Sequence, residues 1–136
     1  MNDIKYVNRL ILMDKIYFDN LPNDTLRVIV DGQNIHTKEE FIKELETLFE
    51  FPRPCEGSMD RFLDWIRDLS WFNYRKIELI IKNQKDFLST DLKTREHILD
   101  LFLELILPHW DEDVLYTVVG GKRKEFIVYL VNTILN

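Results

Sequence analysis

Residues 26–41 read Leu26-Arg27-Val28-Ile29-Val30-Asp31-Gly32-Gln33-Asn34-Ile35-His36-Thr37-Lys38-Glu39-Glu40-Phe41, and this run decides the fold. Its first five residues are rich in β-branched side chains and stop at Asp31-Gly32, which predicts a strand. Thr37 and Glu40 then form a capping-box pattern, in which each side chain satisfies a free backbone donor of the other residue. Apolar residues follow at helical spacing as far as Phe49. The run therefore predicts a strand that leads into a capped helix.

The segments downstream continue this alternation of strands and helices. Apolar residues at helical spacing predict helices over 59–69 and 94–107, and Pro108 is expected to end the second of them. β-Branched and aromatic runs predict three more strands, at 77–81, 114–119 and 126–131. Because strands separated by helices pair in parallel through helical crossovers, we expect an α/β fold with a small, mainly parallel β-sheet and packed helices.

The last two predicted strands are joined by Gly120-Gly121-Lys122-Arg123-Lys124, a linker typical of a hairpin. The hairpin would add an extra C-terminal antiparallel strand, with its three basic residues at a solvated tip. A helix that starts at Lys124 is the competing prediction. The run Phe126-Ile127-Val128-Tyr129 favours the strand, because such residues fit a pleated, half-buried surface.

The length and composition fit a single domain over residues 1–136. The chain is 46% hydrophobic and 31% charged, which is ordinary for a globular protein. The periodic segments place the core at about residues 26–132. Residues 1–24 mix apolar and charged side chains without a clean period, so they are assigned as an N-terminal extension of unknown role.

Charge and cysteine content narrow the function classes. The net charge is −6, from 24 acidic and 18 basic residues, which argues against direct binding of nucleic acid and suits a basic protein partner. One cysteine allows no intrachain disulfide, which fits a reducing compartment. We find no signal peptide and no run of the roughly 20 apolar residues that a membrane helix needs. The composition therefore predicts a cytoplasmic protein with no membrane partner.

The predicted helix at 59–69 carries two incompatible faces. Its apolar stripe consists of Met59, Phe62, Leu63, Ile66 and Leu69. A second face lines up Asp60, Asp64 and Asp68, with Glu56 just before them, although like charges one turn apart cost roughly 0.2–0.5 kcal/mol per pair. Such a face is either simply solvated, with Arg61 and Arg67 neutralising part of its charge, or presented to a partner. The helix at 94–107 repeats the pattern, with an inward stripe that includes Leu105 and an outer stripe of Glu96, Asp100 and Glu104.

Three segments in this order resemble the barstar family. They are the strand–turn–helix run at 30–41, the stretch from Phe51-Pro52 into residues 59–64, and residues 98–104. The resemblance covers about residues 26–107 and, more loosely, the final strand. It implies a barstar-like fold and an intracellular inhibitor of a secreted ribonuclease such as barnase. By the same resemblance Asp60 and Asp64 match the acidic pair that enters the ribonuclease active site, and Glu104 matches the acidic residue of the later helix.

The loop at 55–58 departs from that family's pattern. Where the family has tyrosines and an Asn, this chain has Cys55-Glu56-Gly57-Ser58, and Leu63 and Trp65 stand where the family often has Trp and Cys. The departure leaves room for a basic toxin other than barnase, in particular a secreted or contact-delivered nuclease. The expected partner-binding residues are Asp60, Asp64, Glu56, Gly57, Ser58, Arg61, Trp65, Asp68 and Glu104. We expect no catalytic residue, metal ligand or cofactor.

Other readings stay open at this stage. An enzyme could use Asp60 and Asp64 as general acid and base, but the three histidines are scattered and no phosphate loop, metal motif or nucleophile elbow is present. A general protein-binding domain with a non-nuclease partner differs from the inhibitor only in what it binds. Cys55 is a structural residue or a nucleophile, Trp65 an interface anchor or a core residue, and Trp71 a core residue.

Overall fold

The computed structural model describes residues 8–18, 20–113, 118–119 and 122–135. Four strands form one sheet in the order β1-β6-β3-β2, and every neighbouring pair is parallel. The strands are β1 (Arg9–Tyr17), β2 (Thr25–Asp31), β3 (Lys76–Lys82) and β6 (Glu125–Leu135). Strands and helices alternate through the middle of the chain, so the α/β prediction with a parallel sheet is confirmed.

The helices pack their apolar stripes on one side of this sheet. They are α1 (Lys38–Leu48), α2 (Met59–Ile66), α3 (Leu92–Leu101) and α4 (Leu107–Asp113), with a π-helical segment (Phe102–Ile106) between the last two. Thr37 caps α1 by accepting a hydrogen bond from the Glu40 N–H, as the capping-box pattern predicts. Phe41 of α1 touches the rings of Phe62, Phe87 and Phe102, so it joins α1, α2 and the π segment in one core.

The N-terminal part of the chain contributes a strand that the sequence analysis did not identify. β1 lies at the sheet edge and pairs with β6 along its whole length, from Arg9 opposite Ile127 to Tyr17 opposite Leu135. Asn8 fixes its start, because its side chain accepts a hydrogen bond from the Phe126 N–H and donates to Asp111 over 3.0 Å. Edge strands carry charged and half-exposed side chains, which blur the alternation that marks a buried strand. Residues 1–7 and 19 lie outside the described part.

The C-terminal strand is present in the sheet, but its pairing differs from the predicted hairpin. β6 has β1 on one side and β3 on the other, so neither of its edges can accept an antiparallel partner. The antiparallel ladder is instead a separate two-residue pair, β4 (Val118–Val119) with β5 (Lys122–Arg123). The prediction for residues 114–117 falls outside the described residues. Lys124 is not part of a solvated tip, because it is only 4% exposed and its ammonium lies over the Trp110 ring.

The prediction that Pro108 ends its helix is wrong. In the π segment the hydrogen bonds span five residues, and the Leu107 N–H donates to the Phe102 carbonyl. This wider turn accommodates a residue that has no N–H and would clash with the carbonyl four residues earlier, so the chain continues into α4. The wider turn also rotates the residues that follow it. Within the π segment Leu105 is 42% exposed, against prediction, and after the segment Leu107 and Trp110 are buried.

Among the described residues, no helix is both long enough and apolar enough to span a membrane.

Candidate functional site

The loop that leads into α2 is held by the preceding helix. The Cys55 N–H donates a hydrogen bond to the Glu46 carboxylate of α1, and the Cys55 side chain is fully buried. Burial and the nearby Glu46 charge raise the pKa of the Cys55 thiol to about 11. A buried thiol with so high a pKa stays protonated near neutral pH, so Cys55 has the properties of a structural residue and not of a nucleophile.

The next three residues turn the chain and start the helix. Glu56 and Gly57 both adopt left-handed backbone conformations, with φ of 52° and 75°. A side chain at position 57 would meet only Glu39, at 3.6 Å, so glycine serves there for its conformational freedom. The Ser58 hydroxyl accepts a hydrogen bond of 3.3 Å from the Arg61 N–H and so caps α2. The serine that replaces the family's usual Asn therefore has a local role.

The inner face of α2 is packed, and its last turn is anchored by a distant residue. Phe62, Leu63 and Ile66 are buried, and the Phe62 ring lies 6.5 Å from that of Phe102. The buried Trp110 indole N–H donates a 3.2 Å hydrogen bond to the Ile66 carbonyl, which a helix end would otherwise leave without a partner. Ser58 and Trp110 thus hold the two ends of α2 in place.

The outer face of α2 presents its carboxylates to solvent. Asp60 and Asp64 lie one helical turn apart on this exposed face, and the Asp64 side chain is 78% exposed. An Arg67 guanidinium nitrogen lies 3.7 Å from the Asp64 carboxylate. Arg61 pairs in the same way with Glu56, at 3.5 Å. Asp60 takes part in neither of these two ion pairs, so its carboxylate remains open to a partner.

The acidic stripe is shorter than predicted. α2 ends at Ile66 and not near Leu69, and Leu69 has a left-handed φ of 50° in the turn that follows. Asp68 therefore does not continue the row of Asp60 and Asp64 along the helix. It lies in the turn after the helix, where it borders a cleft together with Asp64 and Trp65.

This cleft has a volume of about 540 Å³ and runs beside α2. It is lined by Arg53, Pro54, Glu56, Arg61, Asp64, Trp65 and Asp68, and we call it the Trp65 cleft. Five of the nine predicted partner-binding residues meet here. Gly57 borders an adjoining groove of about 380 Å³ against α1, Ser58 is the helix cap, and Asp60 lies on the outer face of the helix. Arg53 and Pro54 are lining residues that the sequence analysis did not identify.

Glu104 lies apart from this group. It is exposed on the π segment, and it is not among the residues that line the Trp65 cleft. The π segment does pack beside α2, because its Phe102 contacts Phe62 of that helix. Glu104 is therefore on an element next to α2, and its part in partner binding stays a prediction.

Sequence patterns do not indicate most of the residues that hold this surface in place. Trp110 is 44 residues away from the carbonyl that it binds, and Glu46 is nine residues from Cys55. No local pattern marks either pair. Within the described ranges no group of three or more His, Cys, Asp and Glu side chains is arranged to hold a metal ion. The outer face of α2 offers exposed carboxylates, which can accept hydrogen bonds from cationic groups.

The comparison with known families matches the same part of the chain. The family model described as Barstar (barnase inhibitor) matches residues 26–130, which include all but the first residue of β2, then α1, α2, β3 and the π segment that carries Glu104. This match confirms the resemblance drawn from the sequence and extends it to most of the final strand. No curated protein and no solved structure matches the chain significantly.

Proposed function

Because this chain belongs to the barstar family of barnase inhibitors, we propose that it is an immunity protein that binds a basic toxin and blocks its active site with α2. Members of the family are inhibitors and not enzymes, and the proteins that they bind are ribonucleases. The proposed target is a nuclease, secreted or delivered by contact, and the proposed site of action is the cytoplasm.

One observation carries this proposal: α2 is a short helix, fixed at both ends, that presents two exposed carboxylates one turn apart. Ser58 caps its first turn and Trp110 holds its last. Nuclease sites hold phosphate groups with basic side chains, so a rigid pair of carboxylates can occupy the same positive pocket and exclude the nucleic acid. Because the helix is ordered before binding, little conformational entropy is lost when the complex forms.

Charge supports both the encounter and the complex. The net charge of −6 attracts a basic partner over long range and raises the association rate, an effect that salt weakens. Asp60 has no partner in the ion pairs of this face, whereas Asp64 must exchange Arg67 for a cation of the toxin. We therefore propose Asp60 and Asp64 as the central contacts, with Glu56 and Glu104 as further acidic contacts.

The altered loop supports a target other than barnase. Cys55 is buried, Gly57 has no side chain, and Ser58 is occupied with capping, so this loop offers no aromatic ring to a partner. The half-buried Trp65, which belongs to α2 itself, lines the Trp65 cleft instead. A toxin that fits this surface would place its apolar contact there.

The experiment is a binding and inhibition assay with the nucleases and other basic proteins encoded beside this gene, with barnase for comparison. The proposal expects one of them to bind the protein and to lose nuclease activity in a 1:1 complex. Asp60→Lys and Asp64→Lys should each weaken binding about 30-fold or more, because a like charge would face the basic site. Asp86→Lys, at an exposed position in the turn after β3, is the matched control and should weaken binding less than about threefold.

Two outcomes would overturn the proposal. If none of these proteins binds, the chain is not their inhibitor. If one binds and Asp64→Lys and Asp86→Lys weaken it equally, α2 is not the contact, and the chain is a general protein-binding domain with a different surface.

A further inference from the structure

We propose that the outer edge of β1 is a docking site for a second copy of this chain, in which the two β1 strands pair antiparallel and join the two sheets into one. β1 is the edge strand of the four-stranded sheet, and in the described part of the chain no strand pairs with its outer side. It also lies outside residues 26–130, which match the barstar family. The proposed interface therefore belongs to a part of the chain that the family match does not cover.

The edge has the chemistry of a strand that lacks one neighbour. Such an edge presents backbone N–H and C=O groups to any chain that can pair with it, and most proteins protect it with short strands, bulges or several charges. β1 is nine residues long and exposes two large apolar side chains, Leu12 at 66% and Tyr17 at 60%. Its charged residues are Arg9, Asp14 and Lys15. β1 is therefore long enough and apolar enough to pair with another strand.

The charges of β1 select one register for pairing with itself. When a two-fold axis perpendicular to the sheet relates two antiparallel strands, one residue faces its own copy, and residues equally far from it on either side face each other. An axis at Asp14 or Lys15 sets two like charges directly opposite, which is destabilising. An axis at Leu12 sets Arg9 opposite Lys15. An axis at Met13 aligns all nine residues and sets no like charges directly opposite.

The register centred on Met13 also gives favourable pairs at both ends of β1. Tyr17 faces Arg9 of the second copy, where a guanidinium can stack on the phenol ring. Ile16 faces Leu10 of the second copy, and because directly opposite residues of an antiparallel pair share a face, these two apolar side chains meet. Each of these pairs occurs twice about the axis.

An apolar groove lies beside β1 where Ile16 of the second copy would arrive. The groove has a volume of about 560 Å³ and runs between β1 and the helices, with Leu10, Leu103, Leu107 and Pro108 as its apolar lining. Leu103 is 51% exposed there. Pairing of the strands would cover part of this groove. No residue of α2 lies on β1 or lines the groove, so the proposed interface does not use the surface assigned to the toxin.

A second copy suits this edge better than a basic partner does. β1 carries two cations and one anion, so it does not attract a basic strand. The anion, Asp14, already accepts a 2.8 Å hydrogen bond from the Asn132 amide. In the centred register Asp14 faces Leu12, and the two Asp14 carboxylates become diagonal neighbours, which limits the affinity. We therefore expect a weak, reversible dimer.

The test is sedimentation equilibrium of the full-length protein. The wild-type chain should pass from monomer to dimer between about 10 µM and 1 mM, as a weak interface does. Leu12→Glu sets an anion directly opposite Asp14, whereas Leu12→Lys sets a cation there. Because this pair occurs twice, Leu12→Glu should dimerise at least about tenfold more weakly than Leu12→Lys. Leu12 is so exposed that both variants should fold.

A second pair of variants is the matched control, since the two Leu12 variants also differ in net charge. Ile29 is 43% exposed on β2, at the opposite edge of the sheet. Ile29→Glu and Ile29→Lys make the same change of charge far from the proposed axis. Their dimerisation constants should differ by less than about twofold, because salt screens charges that are not in contact.

Three outcomes would overturn the proposal. The first is a wild-type chain that stays monomeric at about 1 mM. The second is a difference between the Leu12 variants no larger than that between the Ile29 variants, which would place any dimer interface elsewhere. The third is a monomeric chain whose binding to a toxin is weakened by Leu12→Glu, which would mean that β1 pairs with a strand of the partner. None of these measurements depends on inhibition of a nuclease through Asp64, so the dimer and the proposed function stand or fail separately.

Discussion

Replacing Trp110 by Phe should destabilise the protein by about 2–4 kcal/mol and loosen the last turn of α2. The Trp110 side chain is 2% exposed, and its indole N–H is the donor to the Ile66 carbonyl. Loss of the donor leaves a buried carbonyl without a partner, at a cost of roughly 1–3 kcal/mol. The smaller ring also leaves a void, which adds about 1 kcal/mol. Contacts of the remaining ring with Phe126 and Lys124 limit the total.

The measurement is urea denaturation followed by far-UV circular dichroism, which does not depend on indole fluorescence. Trp71→Phe is the matched control, because it also removes one indole N–H bond to a carbonyl, that of Phe49. Trp71 is only partly buried, so water can replace the donor and the expected cost is about 0.5–1.5 kcal/mol. Hydrogen exchange at the amides of residues 63–67 should quicken in Trp110→Phe.

An anchoring role of Trp110 is refuted if Trp110→Phe lowers the free energy of unfolding no more than Trp71→Phe does. It is also refuted if the loss of stability leaves exchange in α2 unchanged relative to the other helices. Either result would mean that packing of the ring, and not the bond to Ile66, holds the end of the helix.

Three further predictions concern the loop at 55–58 and the turn that follows β2. Ser58→Ala should cost about 1 kcal/mol in urea denaturation, whereas Ser58→Asp should be nearly neutral, since both Ser and Asp cap helices well; equal losses would argue against the cap. Folding raises the pKa of the Cys55 thiol from 9.0 to about 11, so the folded state favours the protonated thiol. The stability that the protonated thiol contributes is complete below about pH 9 and is lost as the pH rises toward 11. Denaturation of Cys55→Ala over the same pH range should lack this loss, and a native thiol that reacts rapidly with a disulfide reagent at pH 7 would contradict it. Gly32→Ala should cost about 2–4 kcal/mol, because the new Cβ would lie 2.5 Å from the Asn83 carbonyl oxygen. Gly57→Ala, whose new Cβ would meet only Glu39 at an ordinary contact distance of 3.6 Å but whose φ is 75°, should cost only about 1 kcal/mol, and the opposite order would refute the assignment of close approach to Gly32.

The candidate site was predictable as far as its chemistry is local. Residue spacing placed Asp60 and Asp64 on one face of a helix, and the structure keeps them there. The same spacing extended the row to Asp68, which fails because the helix ends at Ile66. Apolar periodicity continues to Leu69 although the helix does not, since Leu69 is buried from within a turn. The pattern of buried residues therefore extends beyond the end of the helix that it was used to predict.

The Trp65 cleft could not have been predicted from spacing. The lining residues come from segments before and after α2 in the sequence. Arg53 and Pro54 precede the buried Cys55, and Asp68 follows the helix. The bond between Cys55 and Glu46 and the turn at Leu69 bring these segments to the same place. The order of apolar and polar residues predicts neither this hydrogen bond nor this turn.

The sequence by itself determined the elements whose causes are local. The β-branched run of β2, its stop at Asp31-Gly32 and the capped start of α1 each depend on residues within a few positions of one another, so they could be read directly. Together with the strands and helices predicted downstream they implied a parallel α/β sheet, and together with the segments at 51–64 and 98–104 they implied the family. Tertiary structure decided where the edges and ends lie. β1 is a strand because β6, more than a hundred residues later, offers it a hydrogen-bonding edge. The last turn of α2 is anchored because Trp110 reaches its final carbonyl, a contact that exists only once the chain is folded.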